Sequence, residues 1–66
     1  MLSNNLRSLR KERSLTQEEL AKAAGVKPQT IYKYEKGIVK NIPFERIEVL
    51  ASALGITPSR LIGWEE

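Results

Sequence analysis

Residues 15–37 read Leu15-Thr16-Gln17-Glu18-Glu19-Leu20-Ala21-Lys22-Ala23-Ala24-Gly25-Val26-Lys27-Pro28-Gln29-Thr30-Ile31-Tyr32-Lys33-Tyr34-Glu35-Lys36-Gly37, and this stretch decides the fold. Thr16-Gln17-Glu18-Glu19 has the form of a capping box: the Thr16 hydroxyl accepts from the Glu19 amide and the Glu19 carboxylate reaches back. The pattern predicts a helix running to Ala24 and stopped at Gly25, the residue best suited to a left-handed turn. A second helix starts with Pro28 in its first position and ends at Gly37. Only Gly25, Val26 and Lys27 join the two, and a connection that short forces them to cross steeply.

Helical periodicity sorts the faces. On the first of these helices Leu20, Ala21 and Ala24 fall together, while Glu18, Glu19 and Lys22 point elsewhere. Ala21 is small and central, so another helix can approach it closely. On the second, Ile31 and Tyr34 share one face, and Gln29, Tyr32, Lys33 and Lys36 lie within an arc of roughly 100° on the other. That arc presents an amide, a phenol and two ammonium groups. The nine residues Pro28 to Lys36 span ~13 Å as a helix, enough to lie in a major groove about 12 Å wide. A Gln amide matches adenine N6 and N7, and a Lys can reach guanine O6 and N7. The competing reading is an ordinary solvated face, but the glycine turn and the Pro28 start favour recognition.

Outward from this pair, the pattern predicts three more short helices and no strand, an all-α chain. A segment over roughly 3–13 repeats Leu2, Leu6 and Leu9. A fourth has Pro43 at its start, Glu45 in its first turn and Gly55 as its stop; Ile47, Leu50, Ala51 and Leu54 form its apolar stripe, with Phe44 near the edge. A fifth begins at Thr57-Pro58 and fades near Gly63. Leu15, Val26, Ile56, Leu61 and Ile62 close the remaining gaps of a single core. The longest connection is 37–42.

Composition bounds what this fold can do. With 66 residues the chain is one domain, of a size that buries only about 60% of its unfolded surface. Cysteine and histidine are both absent; the chain has no disulfide, no thiolate metal site and neither the commonest general base nor the commonest metal ligand. No cofactor and no metal are expected, and no nucleophile–base set supports an enzyme. No apolar run is long enough for a membrane span, and no signal pattern opens the chain. An unstapled chain with 41% hydrophobic residues points to a reducing, cytoplasmic setting. Residues 1–46 carry ten basic and five acidic side chains, whereas residues 47–66 carry one and three. The basic front suggests a polyanion partner.

Leu15 to Ala21, Gly25-Val26, Ile31 and Tyr34-Glu35-Lys36-Gly37 together resemble the helix-turn-helix family of phage repressors and Cro proteins, the XRE-like regulators. Ala51-Ser52-Ala53-Leu54-Gly55-Ile56-Thr57-Pro58 is similar to the fourth and fifth helices of that family, so the resemblance covers about residues 4–63. It implies a five-helix, lambda-repressor-like domain, bacterial or phage-encoded, that binds double-stranded operator DNA, usually as a dimer, and regulates transcription. It implies that Lys27, Gln29, Thr30 and Lys33 read bases. Gln17 would grip a phosphate together with the free amides at its helix start. Tyr32 and Lys36 would touch bases or backbone, and Lys40 and Asn41 would contact phosphate. Pro28 departs from the pattern: it stands where a polar base contact is frequent, so readout there is apolar, as to a thymine methyl, or absent. The stretch 38–42 varies in length across the family.

Arg10 lies on the Leu6/Leu9 face, where an unpaired charge is costly, and Glu35 flanks the buried face of the recognition helix. The family pattern pairs these positions, which predicts a partly buried Arg10–Glu35 salt bridge; the alternative for Arg10 is a phosphate. Glu18 and Glu19 favour the positive helix start and are no acid/base pair. Ser14, where the family often has Gly, is expected to be a mildly strained turn residue. Trp64 either packs on the core or serves a dimer contact. The end at Trp64-Glu65-Glu66 is compatible with the N-terminal fragment of a longer repressor carrying a C-terminal domain. The rival class is a protein-interaction module using the apolar or acidic C-terminal end; an antitoxin that also binds DNA would combine both. A pure protein binder has no reason to keep the basic, polar arc, and that separates the two.

Overall fold

One residue in the left-handed backbone region, followed by an apolar one, ends each of the first four helices. In a computed structural model that describes residues 2–63, the left-handed positions behind these four helices are Ser14, Gly25, Gly37 and Gly55. The amides of Leu15, Val26, Ile38 and Ile56 each donate back to a carbonyl five residues earlier, on Arg10, Ala21, Lys33 and Ala51, at 2.9–3.1 Å. This is the Schellman arrangement, which satisfies carbonyls that the end of a helix strands. Three of the four stops use glycine; the first uses Ser14 at φ 55°, the one non-glycine residue with positive φ among the described residues.

The elements are α1 (Leu2–Glu12), α2 (Gln17–Ala24), α3 (Pro28–Lys36), α4 (Phe44–Leu54) and α5 (Pro58–Ile62). The capping box forms as the sequence predicts: Glu19 N donates to Thr16 Oγ1 at 3.0 Å and Thr16 N to Glu19 Oε1 at 2.8 Å. Thr57 caps α5 through the Arg60 amide at 3.2 Å. Pro43 stands at the N-cap position that starts α4, with Glu45 in the first turn, and α1 begins one residue earlier than predicted.

α3 packs on α1 and α2, α4 packs on α2 and α5, and α5 closes back on α1. Each helix supplies a fully buried side chain: Leu6, Leu20, Ile31, Leu50 with Leu54, and Leu61. Ala21 and Ala51 are buried as well, and their small side chains let neighbouring backbones come close. Leu15, Val26, Ile56 and Ile62 are half-buried against this cluster. Phe44 departs from the expectation: it is 59% exposed. Helical side chains lean toward the N-terminus of their helix, so the first residue of α4 overhangs the end of the core instead of covering it. No helix among the described residues is long and apolar enough to cross a membrane. The Trp64 alternatives lie outside the described residues.

Two polar tethers join elements far apart in the chain. Asn5 Nδ2 donates to the Leu61 carbonyl at 3.2 Å, fixing α5 to α1. Arg46 Nη1 donates to the Tyr34 hydroxyl at 3.1 Å, fixing the start of α4 to α3. Among the described residues no buried side-chain N or O lacks a partner, as a small core with little stability to spare requires.

Candidate nucleic-acid interface

α3 is held from behind. Ile31 is fully buried and Tyr34 is 6% exposed, which fixes the rotation of the helix about its own axis. Gln29, Tyr32, Lys33 and Lys36 therefore stand outward, all exposed. Thr30 is half-buried, at the margin between the two faces, and Lys27 and Pro28 are exposed at the start of the helix. The Lys36 ammonium lies 5.7 Å from the centre of the Tyr32 ring, a cation–π contact one helical turn apart that is worth roughly 0.5–1 kcal/mol at an exposed site. Lys40 and Asn41 are exposed in the segment between α3 and α4.

The flank of α3 carries the buried charge. Arg10 Nε and Nη2 donate to Glu35 Oε2 and Oε1 at 2.6 and 3.0 Å, a bidentate pair in which the side chains are 10% and 4% exposed. Arg10 Nη1 donates to the Leu15 carbonyl at 2.7 Å, and Gln17 Nε2 donates to Glu35 Oε1 at 3.2 Å. One guanidinium and one carboxylate thus join α1, the turn after it, the start of α2, and α3. Burial pushes the Glu35 pKa up. The hydrogen bonds from Arg10 and Gln17, with the charges of Arg10 and Arg7, outweigh that and hold it below the ordinary carboxylate range. The Glu35 hydrogen bond chiefly raises the Arg10 pKa, against the effect of burial.

The sequence placed Gln17 at the start of α2 but did not foresee where its amide goes. It is turned across to Glu35 and so held in one orientation, with a second N–H still to donate. The first amides of α2, those of Gln17 and Glu18, have no intrahelical acceptor by construction. The Arg46–Tyr34 and Asn5–Leu61 tethers left no signal in local spacing, because neither partner is near the other in sequence.

The helix-turn-helix family model matches residues 6–62. The chain belongs to the helix-turn-helix family. The chain is 39% identical over its full 66 residues to the cryptic phage CTXphi transcriptional repressor RstR of Vibrio cholerae. The chain spans about three-fifths of that relative's length, 59%. Two solved structures share the fold at a TM-score of 0.89 and 24% identity. One is SinR, the master regulator for biofilm formation, in complex with DNA, matched over 94% of this chain and 98% of that one. The other is the SinR/SinI protein complex, matched over 96% of this chain and 61% of that one. Five helices without a strand among the described residues, with α2 and α3 joined by a glycine turn, are the helix-turn-helix architecture that the sequence predicts.

Proposed function

We propose that this helix-turn-helix domain binds double-stranded DNA in a sequence-specific manner, with α3 in the major groove, and acts as a transcriptional regulator, in the repressing sense, within the bacterial nucleoid. The observation that carries the reading is the orientation of α3: Gln29 and Lys33 are exposed while Ile31 and Tyr34 lock its back. Lys27, Gln29, Thr30 and Lys33 meet base edges in this reading. Gln17, Tyr32, Lys36, Lys40 and Asn41 bear on the backbone or the rim of the groove, and Pro28 offers an apolar surface. The work is binding, without cofactor, metal or covalent step. RstR, by name a transcriptional repressor, and SinR, solved with DNA, support the same use of the fold.

One copy of α3 covers only a few base pairs, so specificity calls for two. The chain acts as a homodimer on a two-fold symmetric operator, weakly paired when free, with half-sites about 34–36 Å apart or a multiple of that. A further protein partner belongs to the reading as well, since SinR is also solved with SinI. Selection of bound sequences from a random duplex pool is the test. Enrichment of a two-fold symmetric sequence is expected; no enrichment over the starting pool, at low salt, overturns the proposal.

A further inference from the structure

A basic concavity of about 360 Å³ lies between α1 and α3, beside the arc that carries Gln29 and Lys33. Two matched triplets face each other across it: Arg7, Arg10 and Lys11 on α1, and Tyr32, Glu35 and Lys36 on α3. Each has the spacing of three and four that puts its members on one side of a helix. The central members, Arg10 and Glu35, close on each other and form the floor. Glu35 is thereby spent: it accepts from Arg10 twice and from Gln17 once. Arg7, Lys11 and Lys36, all exposed, are left around the rim, and Glu35, already paired with Arg10, is the one carboxylate among the lining side chains. Lys36 lies over the Tyr32 ring, which turns its ammonium along the flank of α3.

Three cations around a polar hollow with a fixed floor suit an anion that is multiply charged or part of a charged chain. The geometry points to a backbone phosphodiester of the bound duplex, gripped by Arg7, Lys11 and Lys36, as the occupant of the α1/α3 cleft. Its place follows from continuity: Tyr32 and Lys36 belong both to the outward arc of α3 and to the wall of the cleft, so a strand that meets one passes the other. Arg7 and Lys11 thus become DNA contacts, although neither lies on α2 or α3. The inference rests on the DNA-binding reading above and extends the footprint to α1.

The test uses the chain with Arg7→Gln and Lys11→Gln together, beside a control with Lys22→Gln and Arg60→Gln that removes the same charge from exposed positions outside the cleft. Binding to a duplex is measured from low to high salt, with thermal melts to show that each variant folds. Losing one phosphate contact lowers the slope of log K against log salt by about 0.9, or about eightfold in affinity at 0.1 M salt relative to a common value at 1 M. The cleft variant is expected to lose that much on every sequence while keeping sequence preference, and the control to keep the parent slope. Equal slopes for the parent and the cleft variant, or equal losses in both variants, overturn the cleft while leaving the recognition helix standing. A parent chain that binds no duplex overturns the DNA reading itself. Inorganic phosphate and a nucleoside triphosphate are titrated in parallel at constant ionic strength. Saturable stabilisation that the cleft variant loses, with its DNA slope unchanged, assigns the cleft to a free phosphate instead and overturns the proposal.

Discussion

Arg10 and Glu35, 25 residues apart in the chain, meet through two hydrogen bonds of 2.6 and 3.0 Å, and their pair sets how α3 sits against α1. The same guanidinium holds the Leu15 carbonyl and the same carboxylate holds the Gln17 amide. The outward face of α3 is therefore positioned from the flank by charge as well as from behind by Ile31 and Tyr34.

Breaking one side of this pair strands the other. Arg10→Leu leaves the Glu35 carboxylate without its main donor, and the expected loss is roughly 3–5 kcal/mol, the range for removing one partner of a buried pair. A domain this small has little more than that in total. Thermal melts followed by circular dichroism should show a much lowered midpoint or no cooperative transition; an unchanged midpoint contradicts a structural role for the pair.

Acid should act through Glu35. Its pKa is lower in the folded chain than the ordinary glutamate value near 4.3. The stability it contributes is therefore present above that ordinary value and is lost as pH falls through the lower, folded one. The melting midpoint of the parent chain should exceed that of Glu35→Gln by a constant margin from neutral pH to about pH 5, and the margin should shrink below that. A margin independent of pH down to pH 2 would show that the charge on Glu35 is not what the site uses.

Ser14 offers a stabilising change. Its Cβ is carried at φ 55°, a conformation that costs an L-residue about 1–2 kcal/mol and glycine almost nothing. Part of the gain is returned because glycine is freer in the unfolded chain. Ser14→Gly should raise stability by about 0.5–1 kcal/mol, some 2–8 °C for a domain this size. Ser14→Val should lower it, since a β-branched side chain tolerates positive φ poorly. Differential scanning calorimetry of the three chains decides the order.

Base readout and backbone grip should separate by mutation. Gln29→Ala and Lys33→Ala are expected to cost about 1–3 kcal/mol on the preferred site and far less on unrelated sequence, relaxing preference. Lys40→Ala should weaken all duplexes alike and reduce the salt slope by about one. Competition binding against specific and random duplexes distinguishes the two behaviours. Specificity indifferent to both Gln29 and Lys33 defeats the assignment of the reading face.

Local chemistry wrote the helices into the sequence. The Thr16/Glu19 box, Pro28 at the first position of α3 and the stops at Gly25, Gly37 and Gly55 act within a few residues, through capping groups and backbone sterics. Helix limits were legible for that reason, and so were the faces of α2 and α3, since periodicity alone assigns Ala21 and Ile31 inward and Gln29 and Lys33 outward. Phe44 shows where periodicity stops helping: it gives an angle about an axis but not how far along that axis the core extends. Only the tertiary structure decided that Gln17 turns to Glu35, that Arg46 holds the Tyr34 hydroxyl, that Asn5 reaches the Leu61 carbonyl, and that Arg7 and Lys11 stand across a hollow from Lys36. Each of these depends on the angle and distance at which two helices cross. Those are set by how Leu6, Leu20, Ile31, Leu50, Leu54 and Leu61 fill one shared volume, not by the residues that meet above it.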